Sequence, residues 1–164
     1  MTTIGEPSID ERPERPYLGI RVRTPMKGMG ATTDKLRKEL AKWLKTHGVA
    51  AAGPPFRRFH VIDMAGEMDI TVGVPVAAVR AGDGRVTADV LPAGRYASLV
   101  FSGSGLTGNK ALIEWAKANG IAWDRWDDAR GDAFRCRCET YLTDAAVEPR
   151  KTKQQIEVAI KLAE

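Results

Sequence analysis

Phe134-Arg-Cys-Arg-Cys-Glu-Thr-Tyr-Leu-Thr-Asp144 is the stretch on which the fold turns. Side chains alternate across a strand, so Phe134, Cys136, Cys138, Thr140 and Leu142 share one face and Arg135, Arg137, Glu139, Tyr141 and Thr143 the other. The first face is apolar enough to be core. The second carries a carboxylate and a phenol two residues apart, pointing the same way. On a solvated face Glu139 pairs with Arg137 and does nothing more. Lining a concavity, Glu139 and Tyr141 become the polar end of an apolar pocket, able to attract a cation or move a proton. The rest of the chain has to decide between these readings.

Working outward, the same period-2 pattern recurs at Tyr17–Thr24, Phe56–Asp63, Met68–Val79, Val86–Leu91, Arg95–Phe101 and Gln155–Leu162. Two segments instead show helical spacing. In Asp34–His47, capped by Thr32 and Thr33, Leu36, Leu40, Trp43 and Leu44 fall on one side, and Gly48 closes the helix. In Asn109–Asn119, after a loop over Gly103–Gly108, Leu112, Ile113 and Ala116 face inward, and Gly120 closes it. The order strand, helix, strand, strand thus occurs twice, over about 16–80 and 85–164, with Ala81-Gly-Asp-Gly84 as punctuation. Tyr17 corresponds to Tyr96, His47-Gly48 to Asn119-Gly120, and Ile70-Thr-Val72 to Ile156-Glu-Val158. Neither half alone can bury its sheet. The expected fold class is α+β: one continuous antiparallel sheet, both helices on one face, and a groove where the halves meet. Met1–Arg15, with Gly5, Pro7 and Pro13 and no periodicity, reads as a flexible tail before a single domain over 16–164.

Composition narrows the function classes. The 164 residues are 43% apolar and 28% charged, ordinary for a globular chain and against disorder. No apolar run approaches the ~18 residues of a membrane span. The N-terminus lacks the pattern of an export signal, so the expected location is cytoplasmic. The chain has 25 Lys and Arg against 21 Asp and Glu, an excess of 4 that is too dispersed to imply nucleic acid. The tail leaves no room for a DNA-binding helical domain ahead of the core. The densest basic cluster, Lys35, Arg37, Lys38, Lys42 and Lys45, reads as the solvated face of the first helix. Cys136 and Cys138, neighbours on one strand face, read as buried free thiols rather than a disulfide or metal site. No metal or other cofactor is expected. Ser102 and Ser104 lack a nucleophile elbow, and Gly103–Gly108 is no phosphate loop, which argues against a conventional hydrolase or nucleotide enzyme.

Five segments, Gly53-Pro-Pro-Phe56, Val72-Gly-Val-Pro-Val76, Leu91-Pro-Ala-Gly-Arg-Tyr-Ala97, the helix around Trp115 ending at Gly120, and Glu139-Thr-Tyr-Leu-Thr-Asp144, occur in the order found in the GyrI-like (gyrase-inhibitor-like) family, and from Pro16 to Leu162 the chain resembles it. Its members include effector domains of multidrug-responsive transcription regulators. The resemblance implies a ligand cleft between tandem units, with the family's central acidic residue at Glu139 and Tyr141 beside it. The chain departs from the family at Phe101–Gly108, where an aromatic wall is missing and Trp123 and Trp126 offer a replacement. The candidate ligand-binding residues are therefore Glu139, Tyr141, Trp123, Trp126, Tyr96, Phe59, Phe56 and Tyr17, with Met64 and Met68 as deformable lining.

Three functions follow as expectations. The first is a stand-alone binding protein for amphipathic or aromatic, often cationic, small molecules, in which an unpartnered buried Glu139 selects ligands that bring positive charge. The second is a hydrolase of electrophilic cyclopropane-containing toxins, as in some members of the resembling family, with Glu139 as base and Tyr141 as donor; the absence of other catalytic signatures leans away from an enzyme. The third is a protein-interaction role of the gyrase-inhibitor kind, mediated by the basic first helix.

Overall fold

In Tyr17–Thr24 the apolar Leu18, Ile20 and Val22 alternate with Gly19, Arg21 and Arg23, and these residues form the centre of an 11-residue strand. The computed structural model describes residues 2–164. Its strands are β1 (Thr3–Ile4), β2 (Ser8–Arg12), β3 (Arg15–Pro25), β4 (Phe56–Ile62), β5 (Glu67–Pro75), β6 (Val86–Leu91), β7 (Gly94–Ser102), β8 (Arg125–Asp128), β9 (Gly131–Phe134), β10 (Arg137–Tyr141) and β11 (Gln155–Lys161). The helices are α1 (Met29–Thr46) and α2 (Gly105–Ala118). All the strands join one antiparallel sheet, whose spine runs β1-β7-β11-β10-β4-β5-β3-β6. The duplication is visible in that order. Units β3-α1-β4-β5 and β7-α2-β10-β11 meet at the β4–β10 seam, where Glu139 lies opposite Arg57.

Each helix covers its own half of one sheet face. Leu36, Leu40 and Leu44 of α1 pack on Leu18, Ile20, Val72 and Val74. Leu112 of α2 packs with Ala97, Leu99, Phe101, Val158 and Ile160. Fully burying each such side chain stabilises the fold by about 1.5–3 kcal/mol. The seam between the helices is left with less apolar cover, and the groove forms there.

The sheet curls strongly. β6 and β7 lie six strand positions apart, roughly 29 Å in a flat sheet at about 4.8 Å per strand. Yet only Pro92 and Ala93 join them, a reach of about 11 Å at 3.8 Å per step. The sheet must therefore bend into a half-barrel, with its helix-free face inside. That interior gathers Tyr17, Phe56, Leu91, Tyr96, Cys138 and Ala159 from six different strands, and Cys136 from the segment between β9 and β10. Both cysteines are free and buried.

Four local readings change. Residues 3–12 are not a loose tail: β1 and β2 pair with the free edge of β7, from Thr3 opposite Ser102 to Arg12 opposite Gly94. Arg12 is then held by Glu157 at 2.9 Å. Proline and charge signalled an irregular chain, but an unpaired β7 edge satisfies its backbone with any segment that reaches it. Met1 lies outside the described residues. The helix α1 begins at Met29 behind a left-handed Gly28, a turn before the Thr-Thr cap expected from sequence. The helix α2 begins at Gly105, capped by Ser104, which accepts from the Thr107 amide, so most of the expected Gly-rich loop is its first turn. Lastly, the strand read as continuous over Phe134–Thr143 opens at Arg135–Cys136, between β9 and β10. The Arg135 carbonyl freed there is taken by buried Arg58 at 2.9 Å.

Gly108 explains how α2 sits so close to the sheet. A Cβ there would lie 2.5 Å from the buried Phe101 ring. Gly108→Ala is expected to destabilise the protein by about 1–2 kcal/mol, the overpacking cost outweighing the helix propensity gained by alanine. Urea denaturation reads this directly; an unchanged or raised midpoint would contradict the close approach.

Candidate functional site

Glu139 faces the helix-bearing side of the sheet, between the N-termini of α1 and α2. Its side chain is 5% exposed. Cross-strand neighbours on one face stand about 5 Å apart, closer than residues i and i+2 of a single strand, so the antiparallel register sets Arg57 nearer to Glu139 than Arg137 is. Arg57 Nη2 donates to Glu139 Oε1 at 2.6 Å. Asn109 Nδ2 of α2 donates to Glu139 Oε2 at 2.9 Å and to the Gly105 carbonyl at 2.8 Å. Arg137 Nη2 donates to Asn109 Oδ1 at 2.9 Å. On the other flank, Arg57 Nη1 donates to Thr33 Oγ1 at 3.0 Å, and Thr33 donates to the Met29 carbonyl at 2.8 Å. A continuous polar chain thus ties α1 to α2 across the seam.

The electrostatics follow from burial and pairing. Burial pulls the Arg57 pKa down, but the charge and hydrogen bond of Glu139 outweigh it, and the net shift is upward. Arg137 shifts the other way, because burial outweighs its attraction to Glu139 and Asp132. Tyr141 is pushed up to about 12, chiefly by burial and partly offset by Arg57, which makes it a hydrogen-bond donor across the neutral range.

Above this network lies a groove of about 230 Å³. Met26, Met29, Phe59, Met64, Met68 and Leu106 form its apolar walls, and Arg57, Asn109, Asp132, Arg137 and Glu139 its polar end. Leu106 and Met64, exposed 62% and 57%, mark the mouth. Wider hollows lie elsewhere, one of about 540 Å³ beside α1 and one of about 400 Å³ at the rim of the half-barrel. Two more, of about 430 and 280 Å³, adjoin the Arg130–Asp69 ion pair and are lined mainly by charged side chains; the seam differs from all of these in setting a buried carboxylate at the end of an apolar cleft. Among the described residues, no cluster of three or more His, Cys, Asp and Glu side chains is placed to hold a metal ion.

The profile of the GyrI-like small molecule binding domain matches residues 5–162. The chain belongs to the GyrI-like family. No curated protein sequence matches it. Among solved structures, the C-terminal domain of EcmrR has TM-score 0.76 at 16% identity, with 98% of each chain covered. The EcmrR chain in its complex with DNA has TM-score 0.77 at 16% identity; 97% of this chain spans 57% of that one. A hydrolase from Listeria innocua has TM-score 0.63 at 14% identity, covering 96% and 92% of the two chains. SAV2435 bound to tetraphenylphosphonium has TM-score 0.59 at 10% identity, covering 96% and 94%. At these identities the likenesses concern the fold alone.

Within this GyrI-like fold, the residues singled out from sequence fall into separate places. Glu139 and Phe59 line the groove, as do Met64 and Met68. Tyr141 shares the Glu139 face but packs under Arg37, whose guanidinium sits 4.4 Å from its ring centroid, and it does not line the groove. Tyr17, Phe56 and Tyr96 are inside the half-barrel: Tyr17 meets Phe56 edge-on at 4.9 Å and accepts from Arg58, and Tyr96 donates to the Pro92 carbonyl. Trp123 packs in the α2 cluster, and Trp126 lies on β8, 41% exposed, under Arg135. Sequence reasoning missed Asn109, Leu106, Met26 and Met29. Asn109 and Leu106 were hidden by a helix start placed too late. The pairing of Glu139 with Arg57 rather than Arg137 was missed because alternation within one strand carries no register.

Proposed function

We propose that this chain binds a small, flat, amphipathic molecule in the groove between α1 and α2, its apolar body against the methionines, Phe59 and Leu106 and its polar group at the Glu139 network. The observation that carries this reading is the convergence of five polar side chains, the buried Glu139 among them, on the end of an otherwise apolar cleft, at the seam of a GyrI-like duplication. Methionine side chains reshape at little cost, which suits ligands of varied outline. The binding of tetraphenylphosphonium, a lipophilic cation carrying four phenyl rings, by SAV2435, a protein of similar fold, supports aromatic surface in the ligand. Selection of cations rested on an unpartnered Glu139, and that premise is gone: Arg57 neutralises the carboxylate at 2.6 Å. The hydrolase alternative needs Tyr141 beside Glu139 within the groove, whereas Tyr141 lies under Arg37. Binding needs neither premise.

The test is fluorescence titration with N-phenyl-1-naphthylamine, a neutral flat dye. Leu106 is exposed on α2, so Leu106→Trp narrows the mouth without disturbing the core. Wild type is expected to bind the dye, and Leu106→Trp to weaken binding by about tenfold or more. Absence of binding, or equal affinity in both proteins, would remove the groove reading.

A further inference from the structure

Arg137 is a guanidinium at the groove that makes no salt bridge among the described residues; it lies 4.8 Å from the Phe134 ring centroid. Its single side-chain hydrogen bond goes to the neutral Asn109 Oδ1, and it is in hydrogen-bond contact with no carboxylate among the described residues. Its Nε is shut off from water without any partner. The two nearby acids are engaged elsewhere: Glu139 with Arg57 and Asn109, and Asp132 with Arg125 at 2.5 Å. The Asn109 amide cannot turn to help. Its nitrogen is committed to Glu139 and Gly105, which leaves only its oxygen for Arg137.

The polar end of the groove therefore holds two guanidiniums, Arg57 and Arg137, and two carboxylates, Glu139 and Asp132; Glu139 is paired with Arg57 and Asp132 with Arg125, which leaves Arg137 without a salt bridge of its own among the described residues. The N-terminus of α2 lies close by: a Cβ on Gly105 would be 3.7 Å from Glu139 Oε2, so the positive end of the helix dipole tips the local balance toward positive. A partly buried charge without a counter-ion is costly to keep, and the lowered Arg137 pKa expresses that cost. A ligand oxyanion would relieve it with charge-assisted hydrogen bonds from a donor that the protein has already fixed in place.

We propose that Arg137 is the ligand's polar anchor and that the groove selects flat apolar molecules ending in a carboxylate over the same molecules ending in an ammonium. The Glu139–Arg57 pair keeps the Glu139 charge from repelling such a ligand, and the methionine walls take its ring. This selection rests on the groove being the ligand site.

The test compares 2-naphthoate with (2-naphthyl)methylammonium, one ring system with opposite charges, by calorimetry and by displacement of N-phenyl-1-naphthylamine. Wild type is expected to bind the naphthoate at least about tenfold more tightly, a ratio in keeping with one charge-assisted contact. Arg137→Gln is expected to bring the ratio within threefold, while Arg137→Lys retains part of the preference; the ratio is taken within each protein, so a general weakening of the groove does not move it. Because Arg137→Gln removes a buried charge that has no salt bridge, the melting temperature should hold or rise, so a lost preference cannot be assigned to unfolding. If Leu106→Trp weakens the neutral dye but the naphthoate is not preferred, or is still preferred in Arg137→Gln, the anchor is refuted and the groove stands. Should the neutral dye be indifferent to Leu106→Trp, the groove and the anchor fall together.

Discussion

Glu139→Ala is expected to lower the unfolding free energy by about 3–5 kcal/mol at neutral pH, among the largest losses any single polar substitution should cause in this chain. The size comes from what is left behind rather than from what is removed. Arg57 is 13% exposed and would lose its only carboxylate, and Arg137 already lacks one, so two uncompensated guanidiniums would share the seam. Glu139→Gln should cost less, because an amide oxygen still accepts from Arg57 or Asn109. The double replacement Glu139→Leu with Arg57→Met removes both charges together and should recover most of the loss, since apolar side chains of similar volume often stabilise such sites as well as the ion pair does. Urea denaturation of wild type, Glu139→Leu, Arg57→Met and the double replacement gives the coupling energy directly. If Glu139→Ala stayed within 1 kcal/mol of wild type, the seam would have to be wetter than its burial indicates.

The second large effect is on pH dependence and originates inside the half-barrel. His60 has its pKa lowered from 6.5 to about 4, first by burial and then by Arg58 and Arg21, with Asp69 and Asp89 opposing. Its Nε2 lies 2.7 Å from Thr71 Oγ1. In the folded protein the ring therefore remains neutral down to about pH 4, while the unfolded chain takes up a proton near 6.5. Between these values the unfolded state binds more protons, so stability falls as pH is lowered and is fully present above 6.5. Two and a half pH units correspond to at most about 3.4 kcal/mol, and partial solvent access trims this to about 2–3 kcal/mol. The Asp69 carboxyl, held low by Arg21 against its own burial, gives up its contribution only below the ordinary carboxylate range and leaves the upper window to His60. Denaturation between pH 7 and 4.5 should show this slope in wild type and a much flatter one in His60→Gln, which keeps a hydrogen bond to Thr71. Parallel profiles would place the titration elsewhere.

The sequence by itself determined the elements and their duplication. Strand and helix periods are local properties, written in which face each side chain takes, so the two strand-helix-strand-strand units, both helices and the groove between halves were legible from Leu18, Ile20, Leu36, Leu40, Leu112, Val158 and Ile160. Glu139 was legible too, as a carboxylate on the helix-bearing face. Only the tertiary structure decided which residues meet. The two residues between β6 and β7 look the same in sequence whether they close a hairpin or bridge the edges of a curled sheet; here they bridge, and the curl draws Tyr17, Phe56 and Tyr96 into an interior that the groove does not share. The partner of Glu139 is likewise a matter of register: alternation along one strand suggests Arg137, whereas cross-strand pairing, with its shorter separation, supplies Arg57 and leaves Arg137 hydrogen-bonded to Asn109 instead. Period is a property of the chain, but pairing, curvature and the balance of buried charge belong to strands that sequence does not order.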